Sequence, residues 1–189
     1  MRFEKSIERD LEKSGNIFAE VLTTYFKKMK GDSKRQVKID YIDSLVSVIG
    51  GFIAMIAIGF IAIFFGYPMA LAPLGASCVL VFLMHKGPLS QPRQVIGGHF
   101  FSTTAALTVW SIIGHSLFTI GLVVVIVLMI MLITDTFHPP AAASALVAVN
   151  FELGWGFLLV VMIGALLLVA VSTFYNNIFQ KRQYPQHWL

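Results

Sequence analysis

From Ser44 to Gln180 the chain carries four charged side chains, Lys86, Arg93, Asp135 and Glu152, in a run otherwise rich in Ile, Leu, Val, Phe, Ala and Gly. Charge that sparse over such a length suits lipid as the main solvent. The run divides into six apolar segments at about residues 44–65, 68–84, 95–113, 116–133, 138–150 and 156–179. At about 1.5 Å per helical residue, the first is long enough to cross a hydrocarbon core of about 30 Å. The second and fifth are short and interrupted, the second by Pro73 and Gly75, the fifth by Pro139 and Pro140. With 57% hydrophobic residues and a mean hydropathy of +0.77, the expected fold is an all-α membrane protein of six segments.

Ten of the fourteen Lys and Arg lie in the first 38 residues, among eight acidic residues that end at Asp43. Such a mixed segment is a solvated stretch with a basic excess and not a nucleic-acid arm. Its Phe3, Ile7, Leu11, Phe18, Leu22, Tyr25, Phe26 and Met29 fall at helical spacing on one face, with a break at Ser14-Gly15-Asn16. That face suits either the inner membrane surface and the membrane domain, or a partner or second copy. The expected divisions are a cytoplasmic amphipathic segment over 1–41, a transmembrane domain over 42–180 and a cytoplasmic tail over 181–189. No short apolar core with a small-residue cleavage site follows the N-terminus, so the first span is expected to stay as a signal-anchor.

If all six segments cross, the N-terminal arm, the loop with Lys86 and Arg93, and the tail with Lys181 and Arg182 share one side. The loops near 66–68, 114–115 and 151–155 hold no Lys or Arg. The positive-inside rule then places both termini in the cytoplasm, as for a cell inner membrane protein. A re-entrant course for the second and fifth segments would put Lys86 and Arg93 outside, and ranks second.

An ungapped offset of 67 overlays Pro73, Ala76 and Ser77 on Pro140, Ala143 and Ser144, and Ile96-Gly97 on Ile163-Gly164. Three crossings per unit make the two units, about 42–113 and 114–180, inverted repeats. On this reading the second segment is extended over 68–73 and the fifth over 134–139. Each is followed by a half-helix, of about eleven residues and about 16 Å in the second. Two positive helix ends would meet at mid-membrane. The N–H groups around Gly75, Ala76 and Ser77, and around Ala141, Ala142, Ala143 and Ser144, would hold a small anion there, assisted by the two serine hydroxyls.

His138 abuts the proline pair, where it would bond an anion or carry a proton, or be satisfied by a backbone carbonyl that holds the extended segment in shape. His99 faces the same pathway or bonds across helices. Arg93 at the cytoplasmic mouth is an anchor or an anion-recruiting gate. Asp135 pairs with Arg93 or caps the turn at His138. Gly97 and Gly98 let helices approach closely. The histidines have no metal-ligand spacing, and the single cysteine, Cys78, reads as a packed small residue. No nucleophile and base pattern, phosphate loop or nucleotide motif is present, so neither catalysis nor a cofactor is expected.

His138-Pro139-Pro140-Ala141, Ala72-Pro73-Leu74-Gly75-Ala76-Ser77, Ser90-Gln91-Pro92-Arg93, Gly97-Gly98-His99 and Tyr175-Asn176 stand in this order. In these motifs the chain resembles the HPP family of membrane proteins over about residues 40–185. It departs from the family pattern at Ala142, where Gly is frequent, and at Gln94, where Asn is. The resemblance implies a transporter of a small inorganic anion, nitrite first and nitrate behind it. A passive channel for an anion or neutral solute, or a non-transporting membrane module, are the other readings. A lipid bilayer, a coupled proton and further copies of the same chain are the expected partners.

Overall fold

A computed structural model describes residues 17, 19–30 and 40–188. The chain divides into two compact units, residues 1–39 and 40–189. In the first, 19–30 are helical, with Leu22, Tyr25, Phe26 and Met29 exposed at the spacing expected of one face. Phe3, Ile7, Leu11, Phe18 and the 14–16 break lie outside the described residues.

Residues 40–188 form six α-helices among the described residues: α1 Tyr41–Phe64, α2 Leu71–Leu83, α3 Pro92–Ile113, α4 Leu117–Thr134, α5 Pro139–Asn150 and α6 Gly156–Asn176. Local chemistry sets their ends. The Asp40 carboxylate caps α1 by accepting from the N–H groups of Ile42 and Asp43 at 3.0 and 3.2 Å. Ser116 caps α4 by accepting from Thr119 N–H at 3.0 Å. Pro92 and Pro139 each open a helix where a missing N–H costs nothing. Gly114, at φ +83°, stops α3, and Asp135, left-handed at φ 51°, stops α4.

Helices α1, α3, α4 and α6 are long and apolar enough to cross a membrane. Helices α2 and α5, of 13 and 12 residues, reach about 18–20 Å, short of the hydrocarbon thickness. Large apolar side chains stand exposed along α1 (Phe52, Ile56, Phe60, Ile63) and α4 (Val125, Leu132). In water such a belt would be a liability; in lipid it is the solvent-facing surface.

The interrupted segments differ from their expected course. Residues 68–73 are not extended. A 3-10 turn over Pro68–Ala70 runs directly into α2, and Pro73 sits at its third residue. The reason is steric economy. A proline within the first turn removes an N–H that has no intrahelical partner, so it does not force the chain to stay extended. In the fifth segment Thr134 still belongs to α4, only 135–138 are non-helical, and α5 opens at Pro139.

Helix α1 packs on α2 and α6, and α4 packs on α5 and α3, while α3 lies closest against α5. Gly97 and Gly98 permit that approach. A Cβ at Gly98 would stand 2.7 Å from His138 Cβ and 3.1 Å from the Thr136 carbonyl, and one at Gly97 2.6 Å from Thr136 Cγ2.

The residues after α6 pack into the domain they were expected only to trail. Arg182, 5% exposed, donates to the Phe82 carbonyl at 2.7 Å, Ser47 Oγ at 2.9 Å, His85 Nδ1 at 3.0 Å, and the Asp43 carbonyl and carboxylate at 3.0 and 3.1 Å. A guanidinium leaves water only when acceptors surround it, and here five do. Tyr184 Oη donates to the Ser90 carbonyl at 2.9 Å, and Gln186 N–H to Gln91 Oε1 at 2.8 Å. The tail thereby holds the loop between α2 and α3.

Burial, and then the Arg182 charge, keep the His85 pKa below its usual 6.5. A folded-state pKa below the unfolded one means that stability is full above the unfolded value and is lost as pH falls through it. The melting temperature is therefore expected to drop as pH falls below about 6.5, down to the lowered folded-state value. His85→Gln should flatten that dependence in a pH series of thermal unfolding curves.

Candidate functional site

The His-Pro-Pro step shapes the centre first. A residue before proline is driven from helical to extended backbone, and His138 sits at φ −132°, ψ 95°. From there its imidazole reaches two groups. Nδ1 lies 2.8 Å from the Leu89 carbonyl, and Nε2 lies 2.8 Å from Ser77 Oγ on α2. Ser77 Oγ is also 2.8 Å from His99 Nε2 on α3, and His99 Nδ1 is 2.9 Å from Ser144 Oγ on α5. All four side chains are fully buried, and the two imidazole centroids are 5.3 Å apart.

The direction of this chain follows from one fact: a carbonyl can only accept. With both rings neutral, His138 Nδ1–H donates to Leu89, so Nε2 is bare; the Ser77 O–H, which has the Pro73 carbonyl at 3.1 Å one turn back as its other acceptor, donates to that nitrogen at 2.8 Å. Ser77 then accepts from His99 Nε2–H. His99 Nδ1 is left bare, and Ser144 O–H donates to it. The order is Ser144 to His99 to Ser77 to His138 to Leu89, with every hydrogen placed.

Such a chain can pass a proton by three short hops. When Ser144 yields its proton to His99 and takes one from outside, His99 releases its Nε2 proton to Ser77, and Ser77 releases its own to His138 Nε2. His138 is then imidazolium. Ser77 donates back to His99, His99 Nδ1–H donates to Ser144, and the Ser144 proton is free to point elsewhere. One added proton reverses the three links between Ser144 and His138, leaves His138 Nδ1–H on the Leu89 carbonyl, and changes what Ser144 offers.

The expected anion cradle of backbone N–H groups is not built. Because α2 begins at Leu71, the N–H groups of Gly75, Ala76 and Ser77 fall inside its hydrogen-bond ladder. Ala76 is exposed, and a Cβ on Gly75 would meet only Met55, at 3.6 Å. At the start of α5, Pro139 and Pro140 have no N–H, and Ala141 N–H donates to the His138 carbonyl at 2.9 Å. Ala141 is buried against the Gly98 side of α3, while Ala142 and Ala143 are half-buried.

Arg93 stays outside the centre. Its Nη2 donates to the Thr134 carbonyl at 3.0 Å, at the negative end of α4. It lines an open crevice of about 630 Å³ with Ile96, Gly97, Phe101, Thr136 and Trp188. Asp135 is exposed and closes α4 through its backbone, its N–H donating to the Met131 carbonyl. No cluster of metal-ligating side chains exists among the described residues.

Sequence reasoning allowed a backbone carbonyl as the partner of His138 without singling out Leu89, and overlooked the hydroxyls of Ser102 and Thr103, which are buried without a partner among the described residues three and four residues past His99. That helical spacing on the face of His99 was a usable signal. It did not register, because Ser and Thr in an apolar helix ordinarily bond back to their own backbone.

An all-helical domain with a lipid-facing apolar belt and a wholly buried polar centre defines an integral membrane protein. The transmembrane region of the HPP family matches residues 36–185, and the chain belongs to that family. Two Dictyostelium discoideum proteins described as transmembrane proteins are similar to it. One is 35% identical over 122 residues, 60% of this chain and 43% of the relative; the other is 32% identical over 181 residues, 87% and 57%. The chain thus spans about half the length of the curated relatives it matches. No solved structure matches it.

Nitrogen-15 NMR of histidine-labelled protein should find neutral His138 protonated on Nδ1 and neutral His99 on Nε2; the opposite tautomers would refute the assigned direction. Gly98→Val should destabilise by about 1–3 kcal/mol, since its Cβ meets backbone that cannot rotate away. Gly75→Ala, which meets only a flexible Met55, should leave thermal unfolding unchanged.

Proposed function

We propose that the protein carries a small inorganic anion, nitrite before nitrate, together with a proton through the Ser77, His99, His138 and Ser144 centre. The observation that carries this reading is the closed hydrogen-bond chain in which Ser77 and Ser144, 67 residues apart, meet the two buried histidines. The centre contains no carboxylate, so an added proton leaves a net positive charge in apolar surroundings. That charge is costly unless an anion sits beside it. Anion and proton therefore favour each other's binding, which is the thermodynamic requirement for coupling. The donor that would meet the anion is the released Ser144 hydroxyl, beside the imidazolium charge of His138, in place of helix ends.

All six helices cross the membrane in this reading, as two inverted units of long, short and long helices, with both termini in the cytoplasm of an inner membrane. Support comes from α2 and α5, whose last residues, Leu83 and Asn150, are offset like the two serines. The packing of α1 on α2 and α6 is also mirrored by that of α4 on α5 and α3.

Proteoliposomes holding the purified protein test it. Nitrite uptake is expected to saturate, to rise about 5-fold or more with an inward proton gradient, and to be lost in His138→Ala. Uptake indifferent to the gradient would mark a passive channel. Folded protein without flux would reject nitrite.

A further inference from the structure

A second polar cavity lies where the start of α1, the end of α2 and the residues after α6 meet. It holds about 750 Å³, and Asp40, Asp43, His85, Lys86, Lys181 and Arg182 line it. Two of its buried atoms, His85 Nε2 and Arg182 Nε, have no hydrogen-bond partner among the described residues. Both are donors. Arginine nitrogens never accept, so the contact from Arg182 Nη2 to His85 Nδ1 at 3.0 Å makes Nδ1 the bare nitrogen and puts the ring proton on Nε2. His85 is 7% exposed and Arg182 5%, so bulk water does not readily satisfy either donor.

Each acid in the cavity has one carboxylate oxygen engaged: Asp40 Oδ1 accepts from the first N–H groups of α1, and Asp43 Oδ1 from Arg182 Nη1 at 3.1 Å. The buried atoms of the cavity that remain unmatched are of one kind, two N–H donors, and the ammonium groups of the exposed Lys86 and Lys181 stand beside them. The missing partner is an acceptor with several oxygens and negative charge. Exposed Ile42 and Ile178 flank the opening and continue the apolar belt.

We propose that this cavity binds a phosphate group, presented by an anionic lipid headgroup or as the free ion. A tetrahedral oxyanion has enough oxygens to accept from His85, Arg182 and both lysines at once. The site is separate from the buried histidine centre and does not depend on what the protein transports.

The test uses the full chain in a phosphate-free maltoside detergent, in the same detergent with added phosphatidylglycerol, and in the same detergent with added inorganic phosphate. Thermal unfolding and the His85 Nε2–H resonance, assigned through His85→Gln, are read in wild type and in a Lys86→Gln/Lys181→Gln variant. Both lysines are exposed, so the variant folds. Phosphate-bearing conditions should raise the wild-type melting temperature and shift the His85 signal, and the variant should lose both effects. A response to phosphatidylglycerol alone assigns the group to lipid; a response to inorganic phosphate as well assigns it to either source. An unmoved His85 signal in every condition, or an equal response in the variant, overturns the site.

Discussion

The bond from His138 Nδ1 to the Leu89 carbonyl orders the whole centre. A carbonyl offers no proton. The ring is held in one tautomer, and that choice propagates through Ser77 and His99 to Ser144. The proline pair supplies the other half of the constraint. It denies His138 a helical backbone, and it leaves the start of α5 without free N–H groups. The motif thus gives up a free helix end and positions in its place an imidazole between two hydroxyl-bearing helices.

That arrangement tolerates little slack. Hydrogen bonds of 2.8 to 2.9 Å between three helices require those helices to approach more closely than ordinary side chains allow. The Gly97 and Gly98 pair provides the clearance between α3 and α5. The tail adds a second constraint from the other direction. Tyr184 bonds the Ser90 carbonyl, next to the Leu89 carbonyl that orients His138. A segment far from the centre in sequence therefore steadies the acceptor on which the centre depends.

The fold was largely legible. Sparse charge and six apolar runs predict membrane helices, and the helix boundaries fall close to them, because hydropathy and caps act locally. The site was legible only as a set of residue types. Ser77, His99, His138 and Ser144 were each singled out, yet their mutual bonds were not foreseen. Gly75 and Ala76 were included for backbone groups that the helix already uses. The error came from treating Pro73 as the start of a helix, when the first turn of a helix accepts a proline readily. Ala76 illustrates the consequence. One residue before Ser77, it points about 100° away around the helix and reaches the outer surface.

Sequence by itself determined that this chain lives in lipid, that its elements are helices, that 97–98 is a place of close approach and that 138 is extended. Each of these follows from hydrophobicity, glycine size or proline sterics within a few residues. Tertiary structure alone decided that residues 61 and 45 positions apart share hydrogen bonds, and that Arg182, expected in a cytoplasmic tail, is buried against Phe82 and His85 at the end of α2. Those outcomes depend on which helix faces pack together. That choice is made by the summed fit of many side chains, and no local pattern encodes it.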